Sequence, residues 1–346
     1  MTKSMQDVIN SNSGNPLAKY KINSGTGPRI VVIGGGTGLS VILRGMKKVT
    51  ENLTAIVTVA DDGGGSGMLR EDLGMLPPGD VRSCILAMAD EESDMQQVLQ
   101  YRFTEGILSG QNFGNLMIAA LNGIYGNFED AVAKTHDILR VKGRVIPVTG
   151  ADIQLCAELA DGRIICGESK IQPAVIAAGS PIRRVFLTPD KPAAEEGAIQ
   201  AIREADIIVM GPGSLYSSII VNFLVDGISD AVINARGIKA LICNVMTQPG
   251  ETDAYTVYDH VRAVNEYIGR EVIEYVLVNN QPAARDCLER YEKDGAAQLL
   301  PSDEDRRRLA EKGIIAIEND FTDVRAGYFR HDADRIAGVV MRLVQQ

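Results

Sequence analysis

The sequence has no tryptophan, only three histidines and no apolar run long enough to cross a bilayer. The histidines do not have the spacing of a metal site, and we find no H-E-x-x-H motif, no Ser/His/Asp pattern and no CxxC pair. Zinc-dependent and serine hydrolase functions are therefore disfavoured. The formal net charge of −10 at pH 7 argues against a nucleic-acid-binding surface, because a phosphate backbone would be repelled.

The cysteines and the N-terminal segment indicate where the protein resides. Most of the five cysteines have apolar neighbours, which predicts reduced core residues in a cytoplasmic protein. The first 27 residues are polar and rich in Asn, Ser and Gly, without the apolar segment of a signal peptide. We therefore predict a disordered tail over residues 1–27 and a folded domain over residues 28–346. The cysteines are Cys84, Cys156, Cys166, Cys243 and Cys287.

Residues 30–40, IVVIGGGTGLS, have the pattern of a strand, a tight glycine turn and the start of a helix. Bare backbone N–H groups and the positive end of a helix dipole would meet there, which favours an anion such as phosphate. The glycines do not match G-x-G-x-x-G, and no P-loop lysine follows them. Neither an ordinary dinucleotide site nor a P-loop NTPase is therefore assigned, and a plain tight turn is the alternative.

Strand and helix patterns alternate along most of the chain, which predicts a parallel sheet with helices on both faces. Between about residues 80 and 143 only helical patterns occur, and we interpret this part as an inserted helical subdomain. Five predicted strands end in glycines or small polar residues. Because the carboxyl ends of parallel strands share one edge, these ends predict a single polar crevice. They are residues 34–38, Asp61 with Asp62, residues 211–214, Asn244 with Thr247, and Asn279 with Asn280.

Two of these strand ends suggest chemistry as well as binding. Asp61 or Asp62 could bind Mg²⁺ shared with phosphate oxygens or activate a hydroxyl, and a solvated turn is the alternative. Asp61 also lies about where a Rossmann protein carries its ribose-binding carboxylate. Gly211, Gly213 and Ser214 precede a predicted helix and form a second candidate phosphate site, although Ser214 could be only an N-cap.

Three polar residues of the helical region are further candidates. Asn112 and Asn115 flank a glycine before a predicted helix. They could cap that helix, or their amides could bind a ring edge or sugar hydroxyls. Arg82 lies just inside a predicted helix and could pair with a phosphate or with a carboxylate of the protein.

Five ordered motifs resemble one protein family. They are IVVIGGGTGLSVILRGMK, VTVADDGGGSGMLRE, LPPGDVRSCILAMA, QNFGNLMIAAL and VMGPGSLYSSIIVNFLV. From residue 28 to the C-terminus the chain resembles the gluconeogenesis factor family (YvcK type), which is related to the 2-phospho-L-lactate transferases (CofD type). The resemblance implies an α/β fold, namely a Rossmann-like three-layer αβα core with a mostly parallel sheet and an inserted helical subdomain.

The resemblance also implies a function. Members of the gluconeogenesis factor branch look like cytoplasmic binders of nucleotide sugars of the UDP-N-acetylglucosamine kind, linked to cell shape and cell-wall synthesis during gluconeogenic growth. Such a regulator would act through protein partners and could be a homo-oligomer. The transferase branch implies the alternative, an Mg²⁺-dependent transfer from a nucleotide-diphosphate donor to a hydroxyl. We favour the regulator over the enzyme.

The resemblance to this family implies roles for individual residues. Asp61 is the candidate catalytic and metal-binding residue. Tyr291 and Arg325 lie in the C-terminal segment peculiar to the gluconeogenesis factor branch, where a ring and a guanidinium suit base stacking and diphosphate pairing; surface positions are the alternative. The candidate ligand-binding residues are Gly35, Gly36, Thr37, Gly38, Asp62, Arg82, Asn112, Asn115, Gly211, Gly213, Ser214, Tyr291 and Arg325.

Overall fold

The structure is a computed structural model that describes residues 27–89, 94–325 and 328–345. The predicted disordered tail therefore lies outside the described residues, apart from Gly27. No helix within the described ranges is long and apolar enough to cross a membrane.

A seven-stranded parallel sheet forms the centre of the molecule, as the alternating pattern predicts. Its strands are buried and read as continuous apolar runs, because helices cover both faces of the sheet. The strand order is β10-β9-β8-β7-β1-β2-β3. The strands are β1 (Ile30–Gly34), β2 (Leu53–Val57), β3 (Arg144–Pro147), β7 (Ile207–Met210), β8 (Ile238–Ile242), β9 (Tyr275–Asn279) and β10 (Ile315–Asn319).

The helices form two layers around this sheet. In one layer α1 packs between α3 and α14, and in the other α10 packs against α8 and α11. These helices are α1 (Gly36–Met46), α3 (Gly79–Met88), α8 (Glu196–Glu204), α10 (Ile228–Asn234), α11 (Val257–Ile268) and α14 (Ala333–Val344). The Rossmann-like three-layer architecture is thereby confirmed.

The described residues between β2 and β3 contain helices and no strand of the main sheet. Besides α3 they form α2 (Gly64–Leu73), α4 (Asp94–Gln100), α5 (Phe113–Tyr125) and α6 (Phe128–Leu139). The glycine-rich stretch after β2, residues 61–67, predicts a loop, and this prediction is wrong from Gly64 onward, where α2 begins. Its first residues are Gly64 and Gly65, which are poor helix formers.

A small antiparallel sheet lies between β3 and β7, with strand order β5-β4-β6. Its strands are β4 (Gln154–Leu159), β5 (Ile164–Cys166) and β6 (Ile182–Thr188), and helix α7 (Glu168–Ala178) follows β5. The turn residues Asp161 and Gly162 between two apolar stretches predict a hairpin, and the β4–β5 pair confirms it. Its register places Cys156 directly opposite Cys166, and the two form a disulfide. The prediction of reduced cysteines is therefore wrong for this pair, whereas Cys84, Cys243 and Cys287 are free and buried.

The C-terminal part completes the carboxyl edge of the sheet. Helix α12 (Arg285–Lys293) and the hairpin of β11 (Thr322–Arg325) and β12 (Tyr328–His331) lie there, and α13 (Asp303–Glu311) precedes β10. A π-helix over Leu215–Ile220 follows β7 and continues into α9 (Val221–Phe223). The chain runs from β1 outward to β3 and returns to β7, so the topological switch point lies between β1 and β7.

Candidate functional site

A cleft of about 310 Å³ opens at the switch point. Its volume is at the small end of the range of about 300–1,000 Å³ that is typical of ligand sites. Five segments form its walls: the first turn of α1, the loops after β7 and β8, helix α12 and strand β12. The lining residues are Thr37, Gly38, Val41, Pro212, Gly213, Asn244, Val245, Met246, Thr247, Gln248, Tyr291, Phe329, Arg330 and His331.

The loop after β1 needs its glycines for close packing. Gly36 has a φ of +66°, and its N–H donates to Asp80 Oδ2 at 2.7 Å. A Cβ on Gly35 would lie 2.6 Å from Thr58 Cγ2, and a Cβ on Gly38 would lie 2.6 Å from the carbonyl oxygen of Pro212. Thr37 and Gly38 therefore face the cleft at the positive end of α1, against the backbone of the second glycine loop.

The loop after β7 is fixed by two hydrogen bonds to one side chain of the next loop of the sheet. The Nδ2 of Asn244 donates to the Gly213 carbonyl at 2.8 Å, and the Gly213 N–H donates to Asn244 Oδ1 at 3.3 Å. Gly211 has a φ of +74°, a conformation that favours glycine.

The N-terminus of the π-helix is occupied by a carboxylate of the protein itself. Ser214 caps this helix and its hydroxyl donates to Glu251 Oε1. The N–H groups of Tyr216 and Ser217 also donate to Glu251 Oε1, each at 3.2 Å. Gly213 lines the cleft, but Gly211 and Ser214 do not. Glu251 carried no motif signal in the sequence.

Acidic side chains gather beside the glycine loops. Asp61 Oδ1 accepts from the Gly63 N–H at 2.9 Å, and Asp62 Oδ1 accepts from the Ser169 N–H at 2.9 Å. Burial raises the pKa of Asp80 to about 6, against the lowering effect of the bond from Gly36, and the charges of Asp61 and Glu168 add to the rise. Asp61, Asp62 and Asp80 therefore lie near the β1 loop, but none of them lines the cleft.

The described residues contain no group of three His, Cys, Asp or Glu side chains arranged to hold a metal ion. Mg²⁺ is often held by one or two carboxylates together with phosphates and water. Asp61 could therefore serve as a single protein ligand to Mg²⁺, and the remaining ligands would have to come from a bound phosphate and from solvent.

The candidates of the helical region meet at the start of α5 and do not line the cleft. Asn112 is the N-cap of α5, because its Oδ1 accepts from the N–H groups of Gly114 and Asn115 while its Nδ2 donates to the Gln100 carbonyl. Asn115 is buried, and within the part of the chain that the structure describes its Oδ1 has no hydrogen-bond partner. Arg82 packs against the same helix start: a Cβ on Gly114 would lie 2.8 Å from Arg82 Cδ.

The C-terminal candidates have different positions. Tyr291 lines the cleft, and its hydroxyl accepts from the Phe329 N–H at 3.1 Å, which ties α12 to β12. Arg325 ends β11, but its side chain lies outside the described residues. Arg330 of β12 lines the cleft. Next to it, burial lowers the pKa of His331 to about 4, so that this imidazole is neutral at pH 7.

Sequence reasoning missed the cleft residues of β12. The strand is only four residues long, and the sequence YFRH has no apolar run that would mark a strand. The family resemblance implies a role for Arg325 in the same hairpin, and no motif in the sequence marks Arg330.

Comparisons with known proteins show the family to which the chain is similar. The family model described as "2-phospho-L-lactate transferase CofD" matches residues 30–322. The chain is 50% identical over 319 residues to a "Putative gluconeogenesis factor" of Thermoanaerobacterium thermosulfurigenes, covering 92% of this chain and 98% of that protein. It is 43% identical over 323 residues to the gluconeogenesis factor of Bacillus subtilis, covering 93% and 100%.

A solved structure shares the fold. It is the crystal structure of a protein member of the UPF0052 family from Bacillus halodurans, with a TM-score of 0.86 and 40% identity, covering 91% of this chain and 99% of that one. By its family-model match and its relatives, the chain belongs to the CofD family and groups within it with proteins named gluconeogenesis factors.

Proposed function

We propose that this protein is a gluconeogenesis factor that binds a nucleotide sugar of the UDP-N-acetylglucosamine kind in the switch-point cleft, and that it acts as a regulator. One observation carries this proposal. The cleft combines the N-terminal turn of α1 with an aromatic ring, Tyr291, and a guanidinium, Arg330. A helix N-terminus suits a diphosphate, an aromatic ring suits a base, and an arginine suits either phosphate or carboxylate.

The biological part of the proposal concerns cell shape and cell-wall synthesis during gluconeogenic growth. The name of the Bacillus subtilis relative supports the link to gluconeogenesis. The proposed regulator is cytoplasmic and transmits the ligand state to protein partners, either as a monomer or as a homo-oligomer. The net charge of −10 makes a nucleic-acid partner unfavourable.

Thermal unfolding with and without ligand tests the binding proposal. We expect UDP-N-acetylglucosamine to raise the melting temperature without Mg²⁺, while GDP and NAD do not. A ligand present at 100 times its Kd stabilises the folded state by about 2.7 kcal/mol. Stabilisation by GDP only in the presence of Mg²⁺ would contradict the proposal. In a Gly213→Val variant we expect loss of this stabilisation with an unchanged far-UV circular dichroism spectrum; unchanged affinity would remove the β7 loop from the site.

A second candidate function is an Mg²⁺-dependent transferase that uses a nucleotide-diphosphate donor. The family-model match over residues 30–322 and the position of Asp61 beside the glycine loops favour it. In this function Asp61 would activate the acceptor hydroxyl or bind the metal. Mass spectrometry after incubation with donor, deazaflavin acceptor and Mg²⁺ tests it: product from the wild type but not from Asp61→Asn would support the enzyme.

A further inference from the structure

The loop after β7 separates the cleft from a second, smaller cavity of about 80 Å³. Gly213 lines the cleft, whereas Tyr216 and Ser217, at the start of the π-helix, line the second cavity. Gln248 lines both spaces. The second cavity, called the side cavity below, therefore adjoins the cleft at Gln248, on the far side of the β7 loop from Gly213.

The side cavity is rich in hydrogen-bond acceptors. Its walls include the carboxylates of Glu168 and Glu251 together with Ser169, Gln172 and Ser217. The Oε1 atom of Glu251 accepts hydrogen bonds from the π-helix, but its Oε2 atom is buried and has no hydrogen-bond partner among the described residues. A buried carboxylate oxygen without a donor is costly, so this atom indicates a donor supplied by a bound molecule.

The charges of the surroundings limit what that molecule can be. Asp61 and Asp62 act electrostatically on Glu168, and Glu168 acts on Glu251. A phosphate or carboxylate group would be repelled by these side chains. The described residues provide no group of three ligating side chains, so a metal ion here would need most of its ligands from a bound molecule and solvent. Neutral hydroxyl groups donate hydrogen bonds to carboxylates without adding charge and need no further ligands.

We propose that the side cavity binds the hydroxyl-bearing edge of the sugar ring of a nucleotide sugar, with Glu168 and Glu251 as hydrogen-bond acceptors. This inference rests on the proposed function, because the nucleotide must occupy the adjoining cleft. A space of about 80 Å³ admits a few water-sized groups, which fits one edge of a sugar better than a whole nucleoside. The cavity would accordingly select neutral sugars and disfavour acidic ones.

Calorimetric titration of the full chain with UDP, UDP-glucose, UDP-N-acetylglucosamine and UDP-glucuronate tests the assignment. We expect the wild type to bind a neutral UDP-sugar at least tenfold more tightly than UDP, and UDP-glucuronate more weakly than UDP-glucose. In Glu168→Gln, which removes one carboxylate acceptor, the preference for the neutral sugar over UDP should fall by about tenfold, while the affinity for UDP stays within twofold.

Glu196→Gln is the matched control, because Glu196 is likewise the first residue of a helix but is exposed and far along the chain from the cavity. It should behave as the wild type does. A second variant, Gln172→Ala, keeps the test possible if Glu168→Gln does not fold, and it should lower only the affinity for UDP-sugars.

Two results would overturn the side-cavity assignment alone. They are equal binding of UDP and the neutral UDP-sugars by the wild type, and an unchanged preference in both cavity variants. Failure of every UDP compound to bind would overturn the proposed function and this inference together.

Discussion

The two glycine loops of the carboxyl edge have similar sequences but different surroundings. Each follows a buried strand and leads into a helix, and each contacts one buried carboxylate. At the β1 loop Asp80 accepts only the Gly36 N–H, and Thr37 and Gly38 face the cleft. At the β7 loop Glu251 accepts two N–H groups and the Ser214 hydroxyl.

This difference shows what a glycine-rich turn can and cannot indicate. The turn provides a helix N-terminus, which is a local property. Whether that N-terminus is available to a ligand depends on carboxylates that lie elsewhere in the chain. Asp80 is 44 residues from Gly36, and Glu251 is 35 residues from Tyr216.

The largest effect is expected from breaking the contact between the two loops. In Gly38→Val the new Cβ would lie 2.6 Å from the Pro212 carbonyl oxygen, a backbone atom that cannot rotate away. Because overpacking costs roughly 1–3 kcal/mol, and more where the backbone must move, we expect about 3 kcal/mol of lost stability in urea unfolding. Gly123→Ala is the control, since a Cβ there meets nothing within 4 Å. It should be neutral or stabilising by up to about 1 kcal/mol; equal losses in both variants would refute the contact argument.

The second prediction concerns the carboxylate of the β1 loop. Asp80 has a pKa of about 6 in the folded protein against the usual 3.8. As the pH rises from about 4 to 6, the unfolded chain releases this proton before the folded chain does, so stability falls by at most about 3 kcal/mol. The pKa values of Glu168 and Glu251 are raised too. The contribution of Asp80 is therefore measured as the difference in pH dependence of stability between the wild type and an Asp80 variant.

Asp80→Asn keeps an oxygen acceptor for the Gly36 N–H and should remove this part of the pH dependence. Urea unfolding at several pH values between 4 and 7 measures it, and Asp72→Asn, at an exposed position of α2, is the control. If the unfolding free energy of Asp80→Asn falls with pH as steeply as that of the wild type, Asp80 ionises normally in the folded protein.

The smallest effect is expected at the β7 loop. Glu251→Ala leaves the Tyr216 and Ser217 N–H groups and the Ser214 hydroxyl without this acceptor, which should cost about 2 kcal/mol after the relief of the buried charge is included. Glu251→Gln retains an acceptor oxygen and should lose less than half as much. If the alanine variant unfolds at the same urea concentration as the wild type, Glu251 does not hold this loop.

The sheet and its polar edge could be predicted from the sequence because they depend on local patterns. The run IVVI of β1 is apolar throughout since both faces of the strand are buried, and the parallel order follows from the alternation with helices. Asp61 and the glycine loops follow their strands directly, so their shared edge could be inferred without long-range information.

Other parts of the site could not be predicted because they depend on contacts between distant residues or on weak patterns. Only Cys287 of helix α12 is buried, which leaves almost no apolar periodicity to detect. The side cavity exists because α7, the π-helix and the β8 loop converge. The Cys156–Cys166 disulfide depends on the register of the β4–β5 hairpin. The sequence predicts where the hairpin lies but not which of its residues face each other.

The pairing of β1 with β7 also has a consequence for synthesis on the ribosome. Ile30 pairs with Ile207, so one edge of β1 stays unpaired until roughly 180 further residues have been synthesised. At about 5–20 residues per second this takes roughly 10–35 seconds. During that interval β1 has unpaired N–H and C=O groups along one edge, so we expect this edge to be prone to aggregation in the nascent chain.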